Sequence, residues 1–318
     1  MHLEGTAPPD LIRRLAERNG MPLPAGVFAG PDRFAYTDFL DFLKTYDKAA
    51  SVIRTGEDYR DISLEYLTRC AAEGAIYVEL TASPDHAKLV GLSDEEHLDG
   101  IARGIDDARA HSGIEARILI SCVRNFGVEP ALRVARYAAQ RPHPYVVGFS
   151  MAGDEENYPP TGYAEAFQLA AEAGLGCSVH AGEWAGPDSV RQALQLPVSR
   201  IGHGVRSIED PALVEELAER GTVLEVCPTS NVVLGIYPTY DDHPLPRLLE
   251  AGVRVTLGSD DPPYFGASIG GEYAVCHDRL GLDDETLRGI TRTAIEAAFC
   301  DQNLKQRLIS KDVGSPTP

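Results

Sequence analysis

The feature that most restricts the fold of this chain is the alternation of short apolar segments with longer amphipathic segments. The short segments are rich in aliphatic and β-branched residues and indicate strands at 75–82, 116–123, 145–151, 176–180, 200–204, 222–227 and 254–258. Segments with a helical period lie between them, for example at 131–140, 163–173, 211–220 and 244–250. Because strands separated by helices pair in parallel through right-handed crossovers, the chain is predicted to be an α/β protein.

The segment 210–221 shows how the limits of a helix are predicted. Asp210 suits an N-cap, Pro211 suits the first helical position, and Gly221 suits the end of a helix. Residues 36–54 carry several aromatic and leucine side chains, and they predict a helix that packs on the mouth or the core of the fold.

Polar residues at the ends of the predicted strands decide between a doubly wound sheet and a closed barrel. His180, His203 and Asp260 each lie at or just after the carboxyl end of a different strand. A (β/α)8 barrel builds its active site at these ends. We therefore predict a TIM-type barrel that forms a single domain over residues 1–309.

The two ends of the chain carry two further expectations. The first barrel strand would have to include His2, and only Met1 precedes it, so we expect this strand to be truncated. Residues 310–318 show no apolar period and are predicted to be a disordered tail.

Charge and composition exclude several classes of partner. The chain has 29 Lys and Arg residues against 48 Asp and Glu residues, a net charge of −19. Such a surface repels phosphate backbones and anionic lipid, so we expect no binding to nucleic acid or membranes. There is no run of about 18 apolar residues, no leader segment and no CxxC pair among the six cysteines. We therefore expect a cytoplasmic protein with free thiols.

Four short segments carry residues suited to chemistry: MHLEG at 1–5, HAGE at 180–183, GHG at 202–204 and SDDP at 259–262. Imidazole and carboxylate groups are suitable zinc ligands, and a carboxylic acid such as Glu183 can move protons. Each segment alone is a weak signal, because single histidines are more often structural and Asp–Asp pairs often cap turns or helices. Their placement at separate strand ends favours a metal-dependent active site.

The segments HLEGT, AGDE at 152–155, HAGE, GHG and SDDP, in this order, resemble the motifs of the adenosine and adenine deaminase family. This family belongs to the metal-dependent amidohydrolase superfamily, and the resemblance extends from His2 to about residue 298. It implies one zinc ion per chain and a small aminopurine substrate. It also implies attack of hydroxide on the amino-bearing ring carbon and release of ammonia.

The resemblance assigns roles to the residues that match the motifs. It implies that His2, His180 and Asp260 are the zinc ligands. Glu183 is expected to be the proton shuttle to the ring nitrogen beside the attacked carbon. His203 is expected to orient and stabilise the attacking hydroxide.

The same resemblance implies four substrate contacts. Asp261 is expected to orient the hydroxide or hold the substrate ring, and Gly153 to contact the purine through its backbone. Glu4 matches an acidic position that approaches the sugar in nucleoside-using relatives, and His2 faces the substrate as well as the metal.

The chain departs from the family pattern at two places. The family opens with His-x-His, whereas this chain begins Met1-His2, so the first histidine would precede Met1. We expect either a truncated start or a chain that lacks one ligand. An upstream histidine would then raise zinc affinity, thermal stability and turnover. Thr81 replaces an arginine of many adenosine-specific relatives, which leaves the substrate open.

The leading interpretation is hydrolytic deamination of adenosine or a related 6-aminopurine nucleoside, because of Glu4 and because residues 79–84 differ from the segment of adenine-specific relatives. Deamination of adenine or of an aminofutalosine-type nucleoside is the alternative. Amide or phosphoester hydrolysis on the same barrel is a different enzyme class, and a missing carboxylated-lysine bridge argues against its two-metal forms. An inactive binding homologue would contain no zinc. The sequence does not indicate an oligomeric state.

Overall fold

The computed structural model describes residues 1–313, which form a curled parallel sheet surrounded by helices. The strands are β1 (Tyr77–Ala82), β2 (Glu115–Val123), β3 (Val146–Ala152), β4 (Gly176–Ala181), β5 (Arg200–His203), β6 (Val223–Val226) and β7 (Arg254–Leu257). Each strand pairs in parallel with the next one along the chain. All the strands predicted from the apolar segments are confirmed.

Helices precede the first strand, lie between the strands and follow the last strand. They are α1 (Pro9–Arg18), α2 (Phe39–Ala50), α3 (Gly56–Ala72), α4 (Pro84–Leu89), α5 (Asp94–Ser112), α6 (Val128–Ala139), α7 (Ala164–Glu172), α8 (Pro187–Ala193), α9 (Pro211–Arg220), α10 (Pro228–Val233), α11 (Leu245–Glu250), α12 (Pro262–Phe265), α13 (Ile269–Asp278), α14 (Asp284–Ala297) and α15 (Gln302–Val313). Short 3-10 turns occur at Glu4–Thr6, Arg124–Phe126, Pro160–Tyr163, Val205–Glu209 and Tyr240–Asp242.

Local chemistry explains the limits of α9. The side chain of Asp210 accepts hydrogen bonds from the backbone N–H groups of Ala212 (3.1 Å) and Leu213 (3.3 Å). Gly221 ends the helix in the left-handed region, at a φ of 66°. The helix begins and ends where the sequence predicted, because its caps lie within the segment itself.

The amino-terminal segment takes the position of a first barrel strand without forming one. His2 makes a parallel bridge to Thr81 in β1. Leu3 N donates to Thr81 O (2.8 Å), and Thr81 N donates to Met1 O (3.1 Å). Among the described residues the sheet therefore has seven strands and forms a TIM-like half-barrel. The bridge at His2 lies where the sequence predicted a truncated first strand of an eight-stranded barrel.

The core lies between the sheet and the helices, and a smaller apolar cluster fixes the last helix. Leu304 and Leu308 of α15 are buried beside Ile295 and Ala298. Residues 310–313 continue this helix, so the prediction of a disordered tail is wrong there. The rest of that predicted tail lies outside the described residues.

The cysteines and the apolar character of the helices can also be compared with the expectations from the sequence. All six cysteines are buried and free, as the sequence predicted. Within residues 1–313, no helix combines the length and the apolar character needed to cross a bilayer.

Candidate active site

The predicted site residues come together in one pocket at the carboxyl ends of the strands. Its lining includes every one of them: His2, Glu4, Gly153, His180, Glu183, His203, Asp260 and Asp261. The cavity measures about 110 Å³. The curled sheet thus gathers residues that are up to 259 positions apart in the sequence into one site.

His2, His180 and Asp260 form the centre of this pocket. His2 Nε2 lies 3.2 Å from His180 Nε2 and 3.5 Å from Asp260 Oδ1. One potential ligand atom from each residue lies within 4.8 Å of the others. The bridge to β1 places His2, β4 contains His180, and Asp260 follows β7. Two imidazoles and a carboxylate that converge in this way fit a zinc ion.

The ionisation of these three groups suits a metal centre. Burial lowers the pKa of His2 to about 4, against the opposing effect of Asp260. Burial and the adjacent imidazoles lower the pKa of His180 well below its ordinary value. Burial opposes ionisation of Asp260, but His203, His2 and the Ser230 hydroxyl outweigh it and lower that pKa. Neutral imidazoles and an ionised carboxylate are the forms that bind metals.

The backbone is strained at two of the site residues. His203 has a φ of 58° and Asp260 a φ of 54°, in the left-handed region that non-glycine residues rarely adopt. Such residues cluster at functional sites, where the surrounding structure holds them in place. For Asp260, the hydroxyl of Ser230 donates a hydrogen bond of 2.7 Å to Oδ2.

Glu183 is a buried acid beside His203. Its Oε2 atom lies 3.5 Å from His203 Nε2. Burial, followed by the charges of Asp260 and Glu155, raises the pKa of Glu183 well above its ordinary value. A raised pKa favours the protonated carboxyl group, which can donate its proton to a substrate nitrogen.

Glu155 holds the loop that carries Glu183, a role that the sequence analysis missed. Its carboxylate accepts hydrogen bonds from the backbone N–H groups of Gly182, Glu183 (3.0 Å), Trp184 (3.0 Å) and Ala185 (3.3 Å). Glu155 is only 3% exposed. The AGDE motif was recognised at sequence level, but only Gly153 in it was given a role.

Gly153 directly follows β3. Its φ of 108° is open to glycine, and a Cβ atom there would lie 2.2 Å from Asn125 Oδ1. Asn125 accepts a hydrogen bond from Asp154 N (2.8 Å), which fixes the loop. The backbone of Gly153 is therefore exposed to the pocket without a side chain in between.

Asp261 packs against the amino-terminal segment. A Cβ atom on Gly5 would lie 1.7 Å from Asp261 Oδ1, so only glycine leaves room for this carboxyl group. Oδ1 has no hydrogen-bond partner in the described part of the chain. Burial, followed by the charge of Asp260, raises the pKa of Asp261 well above its ordinary value. Gly5 is in the HLEGT motif, yet its spatial role was not predicted.

Glu4 also lines the pocket, where hydrogen-bond donors enclose its carboxylate. Its carboxylate receives the hydroxyls of Tyr46 (3.4 Å) and Tyr59 (3.3 Å) and the N–H of Ser83 (3.3 Å). Burial opposes ionisation, but His97, whose Nε2 lies 3.8 Å from Glu4 Oε1, and the charge of His86 lower the pKa of Glu4. Glu4 is therefore an ionised acceptor inside the pocket.

Helix α2 covers the pocket, in agreement with the predicted helix at 36–54. Phe39, Phe42, Leu43 and Tyr46 line the cavity from this helix. Asp47 Oδ1 lies 3.0 Å from Nε2 of His86 on α4, which joins the cover to the barrel.

Helix α10 supplies two contacts that the sequence analysis did not assign. Ser230 binds Asp260, and Asn231 Nδ2 lies 3.2 Å from His203 Nδ1. Both residues lie in the short helix after β6, so their position close to a strand end was the available signal.

Comparison with known proteins agrees with this arrangement. The sequence model of the family described as Adenosine deaminase matches residues 1–313. The chain is 49% identical over 311 residues to a protein named adenine deaminase from Chelativorans sp. (strain BNC1), covering 98% of this chain and 95% of that one. It is 46% identical over 311 residues to a protein of the same name from Agrobacterium fabrum, with the same coverage.

Solved structures of an adenine deaminase and of an amidohydrolase superpose on this chain over nearly its whole length. The crystal structure of an adenine deaminase from Arthrobacter aurescens superposes with a TM-score of 0.90 at 31% identity, covering 98% of this chain and 96% of that one. An amidohydrolase from Burkholderia ambifaria, solved with bound Zn, superposes with a TM-score of 0.88 at 24% identity, covering 98% and 87%. At 24% identity, the comparison with the Burkholderia protein shows that the two folds are similar.

Proposed function

Because the chain belongs to the adenosine deaminase family, we propose that it deaminates adenine by hydrolysis, giving the 6-oxopurine and ammonia. Family membership and the named relatives already support a hydrolase that acts on the C–N bond of an aminopurine. The choice of adenine is the step that we add, and it replaces the adenosine preference inferred from the sequence.

The residues of the pocket divide the chemistry between them. His2, His180 and Asp260 would hold one zinc ion, which lowers the pKa of a bound water to about 7 when it is present. Glu183 donates its proton to the ring nitrogen beside the carbon that loses the amino group. Asp261 lines the same pocket and would orient the incoming oxygen or hold the substrate ring.

The substrate proposal depends on Glu4, which is the observation that carries it. An ionised carboxylate can only accept hydrogen bonds. Free adenine has an N–H on its five-membered ring, where a nucleoside carries the sugar. Tyr46, Tyr59 and the Ser83 backbone enclose Glu4, which supports a partner as small as a ring N–H rather than a ribose.

The cover over the pocket supports the same choice. When the amino-bearing carbon faces His2, His180 and Asp260, the five-membered ring points away from them, toward the cover. Asp47 and His86 contact each other and line the cavity, and we propose that a sugar attached to that ring would meet them. The names of the relatives in Chelativorans and Agrobacterium agree with a free base as substrate.

A comparison of kcat/KM for adenine, adenosine and deoxyadenosine on the zinc-loaded protein tests this proposal. We expect adenine to be preferred by at least about tenfold, a difference of about 1.4 kcal/mol. The Glu4→Gln variant keeps the shape of the side chain and removes its charge, so it is expected to lose turnover of adenine selectively. Preference for either nucleoside would overturn the proposal.

A further inference from the structure

A chain of buried hydrogen bonds connects His203 to a backbone amide on α11. Asn231 is fully buried on α10 and lies between two histidine rings, His203 and His243. The proposed reaction gives no role to Asn231 or His243. Their hydrogen bonds nevertheless determine which nitrogen of His203 carries its proton.

The first bond of this chain has an unambiguous direction. Leu245 N lies 3.2 Å from His243 Nδ1, with its N–H directed at the ring nitrogen. A backbone N–H can only donate, so Nδ1 accepts and carries no proton. His243 is therefore neutral, and its proton is on Nε2. Burial lowers the pKa of His243 to about 3, in agreement with the neutral ring.

The second and third bonds follow from the first. His243 Nε2 lies 3.2 Å from Asn231 Oδ1, and because this nitrogen is a donor, the carboxamide must present its oxygen. The amide nitrogen Nδ2 then faces the other way, 3.2 Å from His203 Nδ1. Since Nδ2 carries only donors, His203 Nδ1 must accept.

We propose that Leu245, His243 and Asn231 form a relay that holds neutral His203 in the tautomer with its proton on Nε2. Asn231 and His243 are positioning residues in this arrangement, because they act on the site only through His203. The tautomer follows from geometry alone, whereas its catalytic consequence rests on the proposed function.

The consequence is that His203 presents an N–H group to the reacting atoms. Nε2 lies 3.5 Å from Glu183 Oε2 and 4.0 Å from Asp260 Oδ2, so it is the nitrogen that faces the centre of the pocket. In the stated tautomer it donates a hydrogen bond there and cannot take a proton. His203 therefore stabilises negative charge on the attacking oxygen, and Glu183 is left as the group that moves protons.

The tautomer is measured directly by nitrogen-15 NMR on histidine-labelled, metal-free protein, with His203 assigned through the spectrum of His203→Gln. We expect a protonated Nε2 and an unprotonated Nδ1. In Asn231→Asp the carboxylate offers only acceptors, so the proton is expected to appear on Nδ1. Asn303→Asp, an exposed change of the same kind, is the control and is expected to keep the original pattern.

Finding the proton of wild-type His203 on Nδ1, or the same pattern in Asn231→Asp as in the wild type, would overturn the relay. The wild-type spectrum decides the tautomer even if the variant does not fold. The glutamine of His243→Gln retains both an acceptor and a donor, whereas the phenylalanine of His243→Phe retains neither. We therefore expect the protonated Nε2 of His203 to be kept better in His243→Gln than in His243→Phe.

Kinetics test the catalytic consequence separately. Asn231→Asp is expected to lower kcat for adenine by about 100-fold while KM and zinc content change little, because the lost donor acts on the reaction and not on binding. A changed tautomer with unchanged kcat would contradict the role given to His203. Failure of the wild-type protein to deaminate adenine would defeat the proposed function and leave the NMR result to decide the relay.

Discussion

Glu155 offers a test of how the structure holds its proton donor in place. The carboxylate accepts four backbone N–H groups from the loop that carries Glu183. In Glu155→Gln, the amide oxygen can keep the three bonds made by Oε2, but the NH₂ group then faces the N–H of Gly182. Two donors face each other, and a buried N–H loses its acceptor.

The cost can be worked from these contacts. Leaving one buried donor unpaired costs about 1–3 kcal/mol, and replacing charge-assisted bonds by neutral ones adds about 1 kcal/mol. For a domain of this size, a loss of about 2–4 kcal/mol lowers Tm by roughly 4–8 °C. Because the displaced loop carries Glu183, kcat should fall by about 10²-fold or more.

Thermal melts and ammonia-release assays on zinc-loaded Glu155→Gln measure both effects. Glu156→Gln is the matched control, because Glu156 is the exposed neighbour of the buried Glu155. We expect the control to behave like the wild type. A Glu155→Gln protein that melts with the wild type and keeps its kcat would refute the role of Glu155 in holding the loop.

Three further variants test other parts of the site. Glu183→Gln should retain zinc and lose about 10²–10⁴ in turnover, measured by metal analysis and ammonia release, and zinc loss would instead make Glu183 a ligand. Gly5→Ala places a Cβ atom 1.7 Å from Asp261 Oδ1, so it should lower both Tm and kcat, whereas Gly30→Ala, with open space around it, should change neither. Burial raises the pKa of Glu272 to about 7. At a pH above the ordinary carboxyl pKa, the native state therefore binds more protons than the unfolded state. The free energy of unfolding is then expected to fall as the pH rises from about 4.5 to 7. In Glu272→Gln this fall should disappear, so by pH 8 the free energy of unfolding of the variant should rise relative to that of the wild type by up to about 3 kcal/mol. Denaturant unfolding across this pH range measures the difference, and wild-type and variant curves that stay parallel would contradict the prediction.

The sequence was sufficient for features that depend on local patterns. Strands appear as short apolar segments, and the caps of α9 lie within twelve consecutive residues, so periodicity and capping rules locate both. His180, His203 and Asp260 were recognisable as site candidates because the carboxyl ends of parallel strands meet at one edge of the sheet. Glu4, Gly153 and the roles of the site residues came from the resemblance to the deaminase family. Where an element is decided by its own residues, prediction and structure agree.

Features that depend on contacts between distant segments were not predictable. Glu155 binds a loop 27 or more positions away, and the relay joins Leu245 to His203 through Asn231. No periodic pattern records such side-chain contacts. The end of α15 was also missed, because Leu304 and Leu308 stabilise it through a cluster with α14 and not through its own last residues.

The substrate preference shows the same limit. Glu4 was taken as a sugar contact because its position in the motif matches an acidic residue of nucleoside-using relatives. The structure surrounds it with Tyr46, Tyr59 and Ser83, residues that lie far away along the chain. A motif therefore identified the residue, but its surroundings determine what it can bind.

Hydrolytic deamination is tested most directly by following oxygen when the zinc-loaded protein acts on adenine in oxygen-18-labelled water. We expect the 6-oxopurine product to carry the label on the carbon that lost the amino group, with ammonia released in equal amount. Glu183→Gln is expected to slow this incorporation by about 10²–10⁴-fold. Absence of labelled product from the wild-type protein, or equally fast labelling by Glu183→Gln, would contradict these expectations.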